Sequence, residues 1–179
     1  LLLEKFGEFD QIVELGFGLP YLHLYLAERG ELDKMPSTVL VDYYASAVDV
    51  SREIMKYLGV ENTNVFQSDI QDPKAWDMIR SSYIDGRRLF VAIEIIEHLK
   101  TPEAFWKGIK RFSGDDIILS LPVGPAIPSH QLVLSTIEEA EEYVEKYVDI
   151  TEKRILTPDE KQGDGLDDFK VLVVQGVIK

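Results

Sequence analysis

The stretch Gln11–Pro20, QIVELGFGLP, limits what this chain can fold into more than any other. Ile12 and Val13 read as the end of a buried strand, and Glu14 closes it. Gly16 and Gly18 follow at alternate positions, and Pro20 opens an apolar run, Tyr21 to Ala27, that predicts a helix. A strand, a glycine-bearing turn and a helix with proline in its first turn form the front half of a nucleotide-type βαβ unit. Glycine suits such a turn because a ligand lies against the backbone and a Cβ would intervene.

The rest of the chain repeats that alternation. The first helix runs to Glu28 and stops at Gly30, and a polar connector, Glu31 to Ser37, follows. Thr38 to Val41 is a continuous β-branched and apolar run ending in Asp42, the pattern of a parallel strand buried on both faces. Ala45 to Leu58 has helical spacing, with Ala47, Val50, Ile54 and Leu58 on one face and Gly59 as the stop. Asp49-Val50-Ser51 offers a competing end for the second strand, but it leaves a helix of about two turns after a long gap, so Asp42 is preferred. A third strand, Asn64 to Gln67, ends near Ser68-Asp69, and a short helix spans Pro73 to Ser82. Leu89 to Ile93 is the fourth strand, Thr101-Pro102 starts the next helix, and Asp116 to Leu121 is the fifth strand. Pro122 to His130 reads as an irregular loop, and Ser135 or Thr136 caps a helix over Ile137 to Tyr147. Val148 to Leu156 and Phe169 to Ile178 predict a closing hairpin across an acidic loop, Asp159 to Asp168, so the final strand runs antiparallel to its neighbour. The expected class is α/β: a three-layer α/β/α sandwich around a doubly wound, mostly parallel seven-stranded sheet with an antiparallel C-terminal strand, as a single domain over 1–179.

Composition narrows the function. At 179 residues, 45% apolar and 28% charged, a soluble globular domain is expected. The formal net charge of -13, with no basic block, argues against a nucleic-acid backbone as the main partner. With no cysteine there is no disulfide, thiolate metal site or cysteine nucleophile. LLLEKF is too short for a signal peptide, and no run is long enough to span a membrane, so a cytoplasmic location is expected. The chain begins with Leu rather than Met, which leaves room for a preceding native segment.

In their order and spacing, four motifs resemble the class I S-adenosylmethionine-dependent methyltransferases. Glu14-Leu-Gly16-Phe-Gly18 resembles that family's first motif. Asp42 stands at the second strand's end and Ser68-Asp69 at the third's. Ala92 to Leu99, AIEIIEHL, resembles the EVIEHL form of the fourth motif. The closing hairpin is similar to the family's sixth and seventh strands. The resemblance implies S-adenosylmethionine as cofactor and S-adenosylhomocysteine as product. It implies that Gly16 and Gly18 let the backbone approach the cofactor and that Glu14 attracts its ammonium. Asp42 then accepts from both ribose hydroxyls, and Asp69 from the adenine amino group. Tyr43 or Ile70 packs on the adenine, and the backbone near Ile93 and Glu94 completes the amino-acid end. Pro20 stands where the family carries a third glycine; it suits a first helical turn but removes an N–H. A nicotinamide oxidoreductase is disfavoured, because Gly16-x-Gly18-x-Pro20 is not G-x-G-x-x-G.

Three histidines exist. His23, between Leu22 and Leu24, reads as a partly buried packing residue. His98 and His130 fall in loops that a parallel sheet places side by side, together with Glu94 and Glu97. Two carboxylates and two imidazoles suit a divalent ion, and E-x-x-E-H with a later His resembles the metal site of Hen1-type RNA 3′-end 2′-O-methyltransferases. Metal-free methyltransferases share the Glu-His-Leu pattern, and the metal-free reading is the one preferred, with His98 or His130 as general base. The expected function is in-line methyl transfer to an O or N atom of a small-molecule acceptor. The short apolar loops imply an acceptor pocket that is shallow or is completed by a second subunit, as in a homodimer. A non-catalytic binding domain of the same fold is the competing class.

Overall fold

A computed structural model describes residues 6–157 and 170–179. Seven strands form one mixed sheet in the order β3-β2-β1-β4-β5-β7-β6, the α/β/α class that the alternation of elements implies. Two compact units divide the chain, Leu1–Val91 and Ala92–Lys179.

In the first unit, β1 (Gln11–Leu15) pairs in parallel with β2 (Ser37–Asp42), and β2 with β3 (Thr63–Gln67). β4 (Arg88–Ala92) lies on the other side of β1, also parallel. Helices α1 (Tyr21–Glu28), α2 (Ala45–Leu58) and α3 (Pro73–Ser81) supply the connections. β1, β2 and β4 are buried at almost every position because both of their faces are covered; Ile12, Val13, Val39, Leu40, Val41 and Phe90 have no exposed surface. Asp49 lies inside α2, so β2 ends at Asp42 and the competing reading is excluded. Before β1, Phe6–Glu8 is a single 3-10 turn.

In the second unit, α4 (Pro102–Ile109) precedes β5 (Asp116–Val123), and α5 (Ile137–Glu145) precedes the antiparallel pair β6 (Val148–Leu156) and β7 (Lys170–Ile178). β7 runs between β5 and β6 and is antiparallel to both. The register of β6 against β7 shifts between Ile150 and Glu152, so Thr151 is the bulged residue. β5 extends two residues past Leu121. Pro122 lies opposite Val171 in the ladder with β7, where a proline had suggested a loop. Thr136, not Ser135, caps α5, its hydroxyl accepting from Glu139 N–H at 3.2 Å. The acidic loop Asp159 to Asp168, together with Phe169, falls outside the described residues.

Candidate functional site

Parallel pairing puts the carboxyl ends of β1, β2 and β3 at one rim, and the sequence puts an acidic residue at or just beyond each. Glu14 is the fourth residue of β1, Asp42 closes β2, and Asp69 follows β3 by two residues. Asp42 is 5% exposed, and both of its oxygens are engaged. Oδ1 accepts from Tyr44 N–H at 2.8 Å, and Oδ2 accepts from Gly18 N–H at 2.9 Å across twenty-four residues of sequence. One carboxylate therefore ties the glycine turn to the end of β2. Each oxygen retains a further lone pair for a hydroxyl donor.

The turn itself depends on glycine. Gly16 and Gly18 have φ of 65° and 57°, in the left-handed region that other residues enter at a cost. A Cβ built on Gly18 meets no protein atom within 4 Å, so a side chain there would take up free volume beside the turn. Gly16 N–H donates to Val41 carbonyl at 2.7 Å, which holds the turn against β2.

Glu14 differs from its neighbours. It is half-buried, but its Oε2 is shielded from solvent and accepts no hydrogen bond. Burial raises its pKa from 4.5 to about 7. Asp69 does the work of a turn residue: Oδ1 accepts from Gln71 N–H at 2.8 Å and from Gln71 Nε2 at 3.2 Å. Tyr43 is exposed and Ile70 is buried, with the Ile70 carbonyl accepting from Trp76 Nε1 at 2.9 Å. His23 is wholly buried rather than partly so. Its Nε2 lies 3.3 Å from Thr63 Oγ1, and desolvation lowers its pKa to about 4.

The second unit gathers the other candidates. Glu97, His98 and His130 offer ligand atoms that all lie within 4.8 Å of one another. Glu97 is 1% exposed, neither of its oxygens has a hydrogen-bond partner, and burial, with Glu94 adding to it, raises its pKa to about 7. His98 Nε2 stands 3.7 Å from Glu97 Oε1, and its Nδ1 is 3.2 Å from the Ser129 carbonyl. Only Nδ1–H can donate to a carbonyl, so this contact leaves Nε2 with its lone pair in the neutral ring. The His98 and His130 rings are 4.9 Å apart and nearly perpendicular. Burial and then the neighbouring His98 lower the His130 pKa. Backbone bonds close the cluster, since Gln131 N–H and Leu132 N–H both donate to the Glu97 carbonyl, at 2.7 and 3.2 Å.

Glu94 does not join that cluster. Its side chain is paired with Ser120, a residue that sequence pattern did not mark because a serine in an apolar strand carries no periodic signal. Ser129 and Tyr44 were likewise unmarked, since both act through backbone atoms.

No family model and no curated protein matches the chain. Solved structures do match it in fold. The [4+2]-cyclase SpnF superposes with a TM-score of 0.69 at 10% identity, covering 94% of this chain and 75% of that one. A SAM-dependent methyltransferase from Aquifex aeolicus gives 0.62 at 14% identity, covering 98% and 88%. The methyltransferase domain of bacterial CtHen1 gives 0.61 at 21% identity, covering 97% and 93%. The fold is that of the class I S-adenosylmethionine-dependent methyltransferases. The cyclase shows that chemistry other than the methyl transfer named in the other two also occurs on it, so activity has to be argued from the site.

Proposed function

We propose that this chain is an S-adenosylmethionine-dependent methyltransferase that moves the methyl group in line to an O or N atom of a small molecule. The observation that carries the reading is Glu14. A half-buried carboxylate with one solvent-shielded oxygen that nothing in the protein satisfies is a poor structural element and a good receptor for an ammonium. It sits two residues before Gly16, in a turn with two left-handed glycines, of which Gly18 has open space where a Cβ would stand. When bound, S-adenosylmethionine supplies an activated methyl group on a sulfonium, so the protein needs to supply alignment and a site shielded from water.

The chain's own residues then have defined tasks. Glu14 holds the ammonium, and Asp42, already fixed by Gly18 and Tyr44, accepts from the ribose hydroxyls. Asp69, Tyr43 and Ile70 receive the adenine. His98, with Nδ1–H directed to Ser129 and Nε2 open, takes the proton that the acceptor releases, and the Glu97 carboxylate steadies the imidazolium. His130 is the second candidate for that proton, because its lowered pKa keeps it neutral near pH 7. Titration calorimetry with S-adenosylhomocysteine tests the reading. Binding by the wild type, weakened at least about tenfold by Asp42→Asn and abolished by Asp42→Ala, supports it. No binding by the folded wild type rejects it.

A second reading has its own observation, the convergence of Glu97, His98 and His130. A buried carboxylate with two unpaired oxygens beside two imidazoles is a donor set for Mg, Mn, Fe or Zn. The Ser129 carbonyl on His98 Nδ1 is the kind of outer contact that orients a ligating histidine. On this reading a divalent ion assists 2′-O-methylation of an RNA 3′ end. Elemental analysis after Mn2+ loading separates the two. One ion per wild-type chain, lost in Glu97→Ala, favours the metal-assisted reading, and no retained ion removes it.

A further inference from the structure

Glu94 is the one non-glycine residue among those described with a positive φ, 50°. An L residue enters that conformation only at a cost, so the surroundings must hold it. What holds it is a single side chain. Ser120 Oγ accepts from Glu94 N–H at 2.9 Å and donates its own hydrogen to Glu94 Oε1 at 2.7 Å. The second bond is charge-assisted, from a hydroxyl to a carboxylate.

The dependence runs both ways. Ser120 is 2% exposed in β5, between Ile117, Ile118, Leu119 and Leu121, where a hydroxyl without partners would be costly. Both hydrogen bonds recorded for that hydroxyl go to Glu94. The Glu94 side chain itself is exposed, and so within a ligand's reach. Ser120 thus fixes the backbone turn that follows β4 and one oxygen of the carboxylate. Together these set the direction in which Glu94 presents its remaining acceptor capacity.

We infer that Ser120 is a positioning residue, which acts through Glu94 to set the affinity for the cofactor. The inference rests on the methyltransferase reading above. Its test is a double-mutant cycle on S-adenosylhomocysteine affinity with Ser120→Ala, Glu94→Gly and the double variant, each checked for an unchanged far-UV spectrum. Ser120→Ala is expected to weaken binding about tenfold, the scale of one charge-assisted hydrogen bond. In the Glu94→Gly background, where glycine takes the left-handed turn unaided and no carboxylate remains, the same change is expected to cost less than about twofold. Ser120→Thr, which keeps the hydroxyl, restores most of the wild-type affinity. An equal loss in both backgrounds means a general packing defect and overturns the inference, as does wild-type affinity in Ser120→Ala. A crystal structure of Ser120→Ala that keeps Glu94 at its present φ also overturns it. Failure of the wild type to bind S-adenosylhomocysteine instead rejects the functional reading, and the inference falls with it.

Discussion

Glu14 and His23 are both titratable groups that the fold desolvates, and they respond to pH in opposite ways. Burial raises Glu14 to about 7 from 4.5. Between those values the native chain keeps a proton that the unfolded chain has released, so stability falls as pH rises from 4.5 to 7 and stays lower above. Glu14→Gln is therefore expected to stabilise the ligand-free protein at pH 8, by up to roughly 3 kcal/mol, and to change little at pH 4.5; urea melts at the two pH values check this. Binding of a cation reverses the trend, so affinity for S-adenosylhomocysteine should climb as pH passes through about 7 and be flat in Glu14→Gln. His23 is depressed to about 4 from 6.5. Its contribution is complete above pH 6.5 and is lost as pH falls toward 4, because the unfolded chain takes up the proton first. Because Glu14 opposes it over the same range, the expected signature is a difference: relative to His23→Gln, the wild type loses stability from pH 6.5 to 4.5.

Elements were legible where a residue both starts and punctuates them. α2 begins at Ala45 and ends at Leu58 with left-handed Gly59 behind it, and helical spacing with a glycine stop carries that information locally. The neighbouring His98 and His130 were legible too, because parallel topology alone sets their loops side by side. What was not legible is long-range and conformational. Nothing local says that Ser120 reaches back twenty-six residues to Glu94, or that Glu94 turns left-handed. Nor does a sequence tell that Asp69 is engaged by Gln71 while Glu14 Oε2 goes unpaired, since that depends on which donors the fold leaves nearby. Pro122 misled in the other direction, a loop residue by habit that here extends a strand. Gly176 illustrates the same limit in β7. A Cβ there would stand 2.5 Å from the Asp149 carbonyl oxygen and 2.5 Å from Val148 Cγ1, on the strand opposite. Gly176→Ala should cost about 2 kcal/mol or more in a thermal melt, by prising β6 from β7. Thr136→Ala, which removes the α5 cap, should cost about 1 kcal/mol by the same measurement.

At the scale of the whole molecule, thirty-two acidic and nineteen basic side chains leave a formal charge of -13. Self-repulsion of that size is screened by salt, so the melting temperature should rise by a few degrees between about 10 and 300 mM NaCl. A flat or falling series would mean that the charges are already locally paired. Strand order has a different consequence. Among the described strands β7 comes last in sequence, yet it runs between β5 and β6. On the ribosome, then, β6 emerges well before β7, its one neighbour among the described strands. A premature stop anywhere ahead of Lys170 leaves it as a bare edge, open to pairing with another nascent chain. Truncation of the message ahead of the Lys170 codon is therefore expected to yield aggregates and not a shortened, working protein.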